Sequence, residues 1–476
     1  MKNFFKTPIF LILLLALLIR LPHLNQSFWL DETIQALVSQ KGWHAYWPAF
    51  FKTDFNPPLF YALTIGLTKF LPLTEITLRL PSLILGTASV YLLFLISGKK
   101  TLPALLLATG PLSIYYSQEA RAYTTASFLI LLAFFLFQKL NLQNLQKEKK
   151  KIIIPLFTLS LLAAFFTHYL TLLTLPLFLF LFFKNTKLKK LLLPTFLPIF
   201  LSLLLYLPLI SLQLKSSQTA AQIYPHWISL IGGLSLKNIA LLIVKFPLGR
   251  ISLTPRWFYA LSALFSSLLF WGLTLWGSIK SRNNSNYNLK LSNNASNNTP
   301  AAFLLFAPIM LALLISLKIP VFDYFRLLFV LPFFYLLTAT GVQNLPLSLT
   351  KKKLIATLLV TLNLTFSLIY LLNPTFHREN WKELSKFVNQ LPSNTPVYIN
   401  EKLRSPTEWY LPQKVKPTTD LLSNPPLTDT IYIVSYGLEI FDPQDQIRST
   451  LKTNDYQLTQ GDSFNKVGIE KWEKKN

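Results

Sequence analysis

The chain has no cysteine and only two methionines in 476 residues. The first absence excludes disulfides and every cysteine-ligated metal or redox centre. Acids are scarce too: 20 Asp plus Glu stand against 45 Lys plus Arg, a formal charge of +25. What matters most is where charge is missing. Long runs with almost no Asp, Glu, Lys or Arg recur along a chain that is 52% hydrophobic, which reads as an α-helical polytopic membrane protein. In a soluble protein this charge would suggest nucleic acid. Here the lysines gather in short loops between apolar runs, so the excess reads as membrane topology and no nucleic-acid partner is expected. The charge-poor span interiors also argue against an ion-coupled transporter, which needs ionisable groups near the midplane.

Eleven spans are expected, at residues 7–22, 78–98, 101–116, 123–138, 152–167, 169–183, 191–211, 257–279, 301–317, 324–345 and 354–372. The first ends in Arg20-Leu21-Pro22 without a small-residue cleavage site and reads as a retained span. Residues 57–70 are apolar enough to be mistaken for a span. Laid on the outer surface as a juxtamembrane helix starting at Pro57-Pro58, they leave every strongly basic loop (99–100, 147–151, 184–190, 280–282, 351–353) on the side of the N-terminus. Glu148 is the single acid in those loops. That bias puts the N-terminus in the cytoplasm of a multi-pass cell-membrane protein. Residues 282–299, rich in Asn and Ser, read as a low-complexity cytoplasmic loop. From Asn373 onward the pattern changes. Residues 381–390 predict an amphipathic helix with Trp381, Leu384, Phe387 and Val388 on one face, and 396–400 and 430–435 predict strands. The expected organisation is a membrane domain over 1–373 and a small extracytoplasmic α/β domain over 374–476.

The ionisable residues collect at the outer ends of the spans. Asp31-Glu32 follows the first span: Asp31 reads as the cap of a helix over 33–40, or as a general base for a hydroxyl acceptor. The stretch from Tyr115 to Tyr123 holds Tyr116, Gln118, Glu119 and Arg121 in one tight outer turn, where Glu119 and Arg121 can share a cavity. An interfacial belt of aromatics and snorkelling Arg is the competing reading. His168, beside Tyr169, is a structural hydrogen-bonder or, with Asp31 and Glu119, a ligand for a divalent cation such as Mg²⁺ or Mn²⁺. Arg20, Arg79, Arg121, Lys318 and Arg326 anchor headgroups or clamp a lipid phosphate, with Arg121 and Arg326 the preferred pair.

Taken in order, Leu30-Asp31-Glu32, Asn56-Pro57-Pro58-Leu59-Phe60-Tyr61, Leu78-Arg79-Leu80-Pro81-Ser82, the Tyr115–Tyr123 stretch and His168-Tyr169 resemble the GT-C glycosyltransferases. Within them the chain looks most like the bacterial RgtA/B/C/D-like group of the glycosyltransferase family 39 superfamily, which includes protein O-mannosyltransferases and the lipid A aminoarabinose transferase. Phe325-Arg326-Leu327-Leu328 and Arg378-Glu379-Asn380-Trp381 are similar to family patterns as well. The resemblance implies a GT-C fold with outer juxtamembrane helices and a polyprenyl-phosphate sugar donor presented from the outer leaflet. It implies inversion at the anomeric carbon, a catalytic Asp at Asp31 and a second acidic position at Glu119. Some members carry His where this chain has Asn56. The expected site is therefore catalytic Asp31, Glu32 and Glu119; donor-phosphate ligands Arg79, Arg121 and Arg326; substrate contacts Tyr116, Gln118, Tyr123 and Tyr169; and His168 as a metal ligand. The acceptor would be a hydroxyl on an envelope glycan, lipid or protein, with the outer loop 213–256, including Tyr224, His226 and Trp227, shaping its pocket. A lipid-linked sugar flippase and a non-catalytic envelope-binding scaffold are the alternatives.

Overall fold

A computed structural model describes residues 7–53, 56–141, 146–223, 232–283, 299–424 and 428–475. Tyr224, His226, Trp227 and nearly all of the Asn-rich loop lie outside these residues. Among the described residues six helices are long and apolar enough to cross a membrane: Glu75–Ile96, Tyr123–Leu140, Glu148–Thr167, Leu192–Ser216, Arg256–Ser281 and Leu349–Leu372. Pro8–Leu18, Tyr169–Lys184, Thr299–Ile315 and Leu328–Asn344 are shorter apolar segments at positions where whole spans were expected.

The differences from the expected spans have local causes. The segment 101–116 is two helices, Thr101–Thr109 and Pro111–Ser117, broken at Gly110 with ψ 121°. Proline at the first position of the second helix drives the preceding residue out of the helical region. The helix Leu192–Ile223 runs 32 residues, well past residue 211, because the stretch that follows has no Gly or Pro to stop it and is mostly Leu, Gln, Lys and Ala. What was read as an outer loop also contains the helix Leu236–Leu248, capped by Ser235, whose hydroxyl accepts from the Asn238 amide at 3.1 Å. Gly249, at φ +71°, ends it. The helix in the 57–70 segment, Leu59–Leu67, has nine residues and rises roughly 14 Å, too little to cross a hydrocarbon core of about 30 Å. Its Tyr61 and Ile65 pack with Tyr46 and Leu209.

The C-terminal region carries a five-stranded sheet in the order β2-β1-β3-β5-β4. The strands are β1 Val397–Ile399, β2 Val415–Pro417, β3 Thr430–Val434, β4 Tyr456–Phe464 and β5 Val467–Lys474. β1 pairs in parallel with β2 and β3, and β5 pairs antiparallel with β3 and β4. The helix Trp381–Gln390 forms as expected and buries Trp381, Leu384 and Val388 in the same core as Ile399, Val434 and Ile469. The β4–β5 hairpin was not read from the sequence: most of β4 is exposed, so it lacks the apolar alternation that marks a strand. Polar contacts tie this region to residues 28–41 and to the start of the helix Glu75–Ile96. The Tyr410 hydroxyl donates to Glu75 Oε1 at 2.8 Å and accepts from the Phe28 amide at 2.7 Å. Lys382 and Lys41 pair with Glu75 and Glu408 at 3.0 and 3.1 Å.

Candidate active site

Adjacent acids on a helix diverge by about 100°, and Asp31 and Glu32 have opposite surroundings. The helix begins at Leu30, earlier than expected, so Asp31 lies in its first turn and is not its cap. The Asp31 side chain remains 33% exposed, and its Oδ2 lies 3.2 Å from Arg121 Nη2. Glu32 is fully buried. Arg79 grips it through Nε at 2.9 Å and Nη2 at 2.5 Å, and the Ala120 amide donates to it at 2.6 Å. Burial alone would raise the Glu32 carboxyl, but the Arg79 and Arg378 guanidiniums outweigh that and hold it below the ordinary carboxylate range.

This corrects two expectations. Besides Glu32, Arg79 donates to the carbonyls of Leu24, Gln26 and Ser27. All five of its N–H groups are engaged inside the protein, so none is left for a donor phosphate. Glu32 is buried in this cage and ties the segment after the first apolar helix to Arg79 and Ala120. Gln118 is likewise structural. Its Nε2 donates to the carbonyls of Arg20 and Pro22, and its Oε1 accepts from the Tyr370 hydroxyl at 2.8 Å. Arg20, read as a headgroup anchor or phosphate clamp, is instead buried. It donates to the carbonyls of Ala16, Leu107 and Ala108 and to the hydroxyls of Ser113 and Ser117.

Glu119 is buried, with Oε1 accepting from the Trp29 indole at 3.1 Å. Its Oε2 lies 3.5 Å from Arg378 Nη2 and accepts no hydrogen bond among the described residues. Burial pushes this carboxyl up; Arg378 opposes and Glu32 adds to the rise. Arg378 belongs to the Arg378-Glu379-Asn380-Trp381 pattern but is not among the expected site residues. It stacks over the Tyr115 ring at 4.2 Å, donates to the Tyr115 hydroxyl, and reaches Glu32 at 3.7 Å. One guanidinium thus serves two buried carboxylates from segments far apart in the chain.

The aromatic residues line the other side. Tyr116 is buried edge-on to Tyr115 and Tyr123, at 5.1 and 5.4 Å. Arg121 lies over the Tyr123 ring at 5.8 Å, and that ring meets His168 at 5.6 Å and Phe325 at 5.5 Å. Arg326 covers Phe325 and donates to the Pro320 carbonyl at 2.9 Å. The Tyr169 hydroxyl donates to Gln213 at 2.6 Å, which ties it to the helix Leu192–Ile223. Arg250, placed by Gly249 and absent from the expected site, lays its guanidinium 4.8 Å over the Tyr115 ring. A lone Arg after a Gly left no signal in the sequence. Arg121, Arg326 and Arg250 thus present cationic groups around one set of tyrosines.

The metal expectation does not fit this arrangement. Among the described residues no three His, Asp or Glu side chains come together as a ligand set. Burial, with Arg326 and Arg121 nearby, drives His168 down to about 3, so its ring is neutral and borders two guanidiniums. Asp31 is already engaged by Arg121. A divalent ion beside His168 would face cations where it needs carboxylates.

No protein-family model matches the chain, and no curated protein matches it in sequence. Solved structures do match its fold. ArnT from Cupriavidus metallidurans bound to undecaprenyl phosphate superposes with a TM-score of 0.57 at 11% identity, covering 97% of both chains. The archaeal oligosaccharyltransferase AglB from Archaeoglobus fulgidus, in complex with an inhibitory peptide and a dolichol-phosphate, gives 0.53 at 11% identity over 95% of this chain and 73% of that one. The Archaeoglobus fulgidus oligosaccharyltransferase with Zn and sulfate gives 0.53 at 12% identity over 94% and 71%. The chain therefore has the GT-C fold shared by ArnT and AglB, across nearly its whole length.

Proposed function

We propose that this chain is a membrane glycosyltransferase that moves a sugar from a polyprenyl-phosphate carrier to a hydroxyl of an envelope acceptor, with inversion at the anomeric carbon. The observation that carries the reading is the contrast within the acid pair: Asp31 alone is accessible, and it sits against Arg121 at the edge of the Arg121, Arg326 and Tyr123 cluster. The fold supports it, since ArnT has been solved bound to undecaprenyl phosphate and AglB in complex with a dolichol-phosphate. The donor phosphate is bound by Arg121 and Arg326, with Arg250 the third cation in reach. As the phosphate draws the Arg121 guanidinium, Asp31 is released from its ion pair and accepts the proton of the acceptor hydroxyl. The acceptor oxygen forms its bond to the anomeric carbon, the bond from that carbon to the phosphate oxygen breaks, and polyprenyl phosphate leaves with the electron pair. Guanidiniums stabilise the charge that develops on it. Tyr116, Tyr123 and Tyr169 contribute the walls, and Glu119 acts through Trp29 and Arg378 as a positioning acid.

In this reading the protein lies in the cell membrane with its N-terminus in the cytoplasm and the sheet-bearing region outside. The test is transfer in membranes supplied with polyprenyl-phosphate sugars. Asp31→Asn lowers turnover by roughly 10²- to 10⁴-fold, the usual contribution of a positioned base, while leaving thermal unfolding unchanged. Full transfer by well-folded Asp31→Asn protein removes Asp31 from the mechanism.

A further inference from the structure

The segment after the last long helix links the sheet to the site. The Arg378 amide donates to Gln26 Oε1 at 3.0 Å, and the Glu379 carbonyl accepts from the Ser27 hydroxyl at 2.6 Å. From the other side Asn465, in the β4–β5 turn, donates to the Arg378 carbonyl at 2.9 Å. The backbone at 378–379 is therefore clamped between the first outer loop and the hairpin. The Glu379 side chain is half-buried, and its Oε1 faces the Tyr436 hydroxyl at 3.3 Å. Tyr436 stands edge-on to Trp381 at 5.2 Å and shares an apolar cluster with Leu30, the residue before Asp31. The charges of Glu379, Asp31 and Glu439 all act on its hydroxyl.

Asp31 therefore has both guanidiniums and a phenol within electrostatic reach. Arg121 and Arg326 act on Asp31, and the C-terminal region supplies Tyr436 with Glu379, whose carboxyl also has Lys466 and Arg378 near it. Phosphate belongs with the guanidiniums and is repelled by the carboxylates. A carboxylate and a phenol together suit neutral hydroxyls: the carboxylate accepts, and the phenol both donates and accepts. At 3.3 Å their own hydrogen bond is long for an O–H···O contact, so a ligand hydroxyl can replace it without losing a strong interaction.

We propose that Glu379 and Tyr436 form the acceptor subsite, binding a hydroxyl-rich, sugar-bearing acceptor and holding its attacking hydroxyl beside Asp31. This rests on the transferase reading and makes the C-terminal region part of the site. The test uses the full chain in lipid nanodiscs with two probes: a panel of octyl glucoside, galactoside and mannoside followed by saturation-transfer NMR, and undecaprenyl phosphate followed by intrinsic tryptophan fluorescence. Wild-type protein binds at least one glycoside. Tyr436→Phe, which keeps the ring on Trp381, and Glu379→Leu each weaken that binding about tenfold, the weight of one hydrogen bond to a charged group, while undecaprenyl phosphate binds as before. Glu379→Gln restores part of the loss. The proposal is overturned if no glycoside binds the wild type, if the variants bind glycosides normally, or if both probes are lost together. Glycoside binding by a protein that transfers no sugar would sink the transferase reading and leave the subsite standing.

Discussion

Asp31 and Glu32 are chemically near-identical neighbours, and their difference comes from what faces each of them. Glu32 lies in a buried cage with Arg79, Arg378 and the Ala120 amide. Glu32→Gln leaves two buried guanidiniums under-compensated. Removing one partner of a buried pair costs about 3–5 kcal/mol, so the substitution is expected to lower the thermal unfolding midpoint sharply. Asp31→Asn, at a partly exposed ion pair, should shift it little. The Glu32 carboxyl is depressed in the folded state, so its contribution is fully present above the ordinary carboxylate pKa and is lost as pH falls through the depressed value. Unfolding midpoints measured down an acid series should therefore fall in wild type and flatten in Glu32→Gln. An acid pair after a span was legible in the sequence, but which of the two stays exposed was not, because Arg79 and Arg378 lie 47 and 346 residues beyond Glu32 and no local pattern connects them.

At the scale of elements, the turn between the helices Pro111–Ser117 and Tyr123–Leu140 is the piece that organises the site. It supplies the Ala120 amide, Glu119 and Arg121 within a few residues, and its compactness was readable from two apolar runs separated by a short polar stretch. Helix contacts were harder to read. Gly341, on the helix Leu331–Asn344, lies against the backbone of Leu273, and Gly277, on the helix Arg256–Asn283, lies against the backbone of Leu337 and Gly341. Small residues permit this close approach. Gly341→Val forces the two helices apart, an overpacking worth about 1–3 kcal/mol. A lower unfolding midpoint in detergent checks it, and wild-type stability would show that the contact is looser than its geometry.

Across the whole molecule, the C-terminal region works as a keystone. Arg378 is the cation that Glu32 and Glu119 share, so ending the chain after Asn373 leaves two buried carboxylates close together with one fewer counter-charge. Such a truncation is expected to fail to accumulate as folded protein, as judged by size-exclusion profile and yield. Because the chain lacks cysteine, sidedness can be tested cleanly with single substitutions. Lys99→Cys and Lys353→Cys should react with a membrane-impermeant maleimide only after permeabilisation, and Asn424→Cys in intact cells. The reverse pattern would place the sheet and Asp31 on the cytoplasmic side.

Composition and periodicity suffice for most of the apolar helical segments, for the amphipathic helix at 381–390 and for the place of Asp31-Glu32 and the Tyr115–Tyr123 turn beside apolar runs. Each follows from what a segment costs to place in hydrocarbon or water, a property local to that segment. Packing sets which guanidiniums are occupied by carbonyls, as in Arg20 and Arg79, and which lie over aromatic rings, as in Arg250. It also decided that Gln118 and Glu32 hold the scaffold, and that Arg378, 263 residues from Tyr115, closes it. Burial and hydrogen-bond partners depend on contacts between distant segments, and those exist only once the helices have packed.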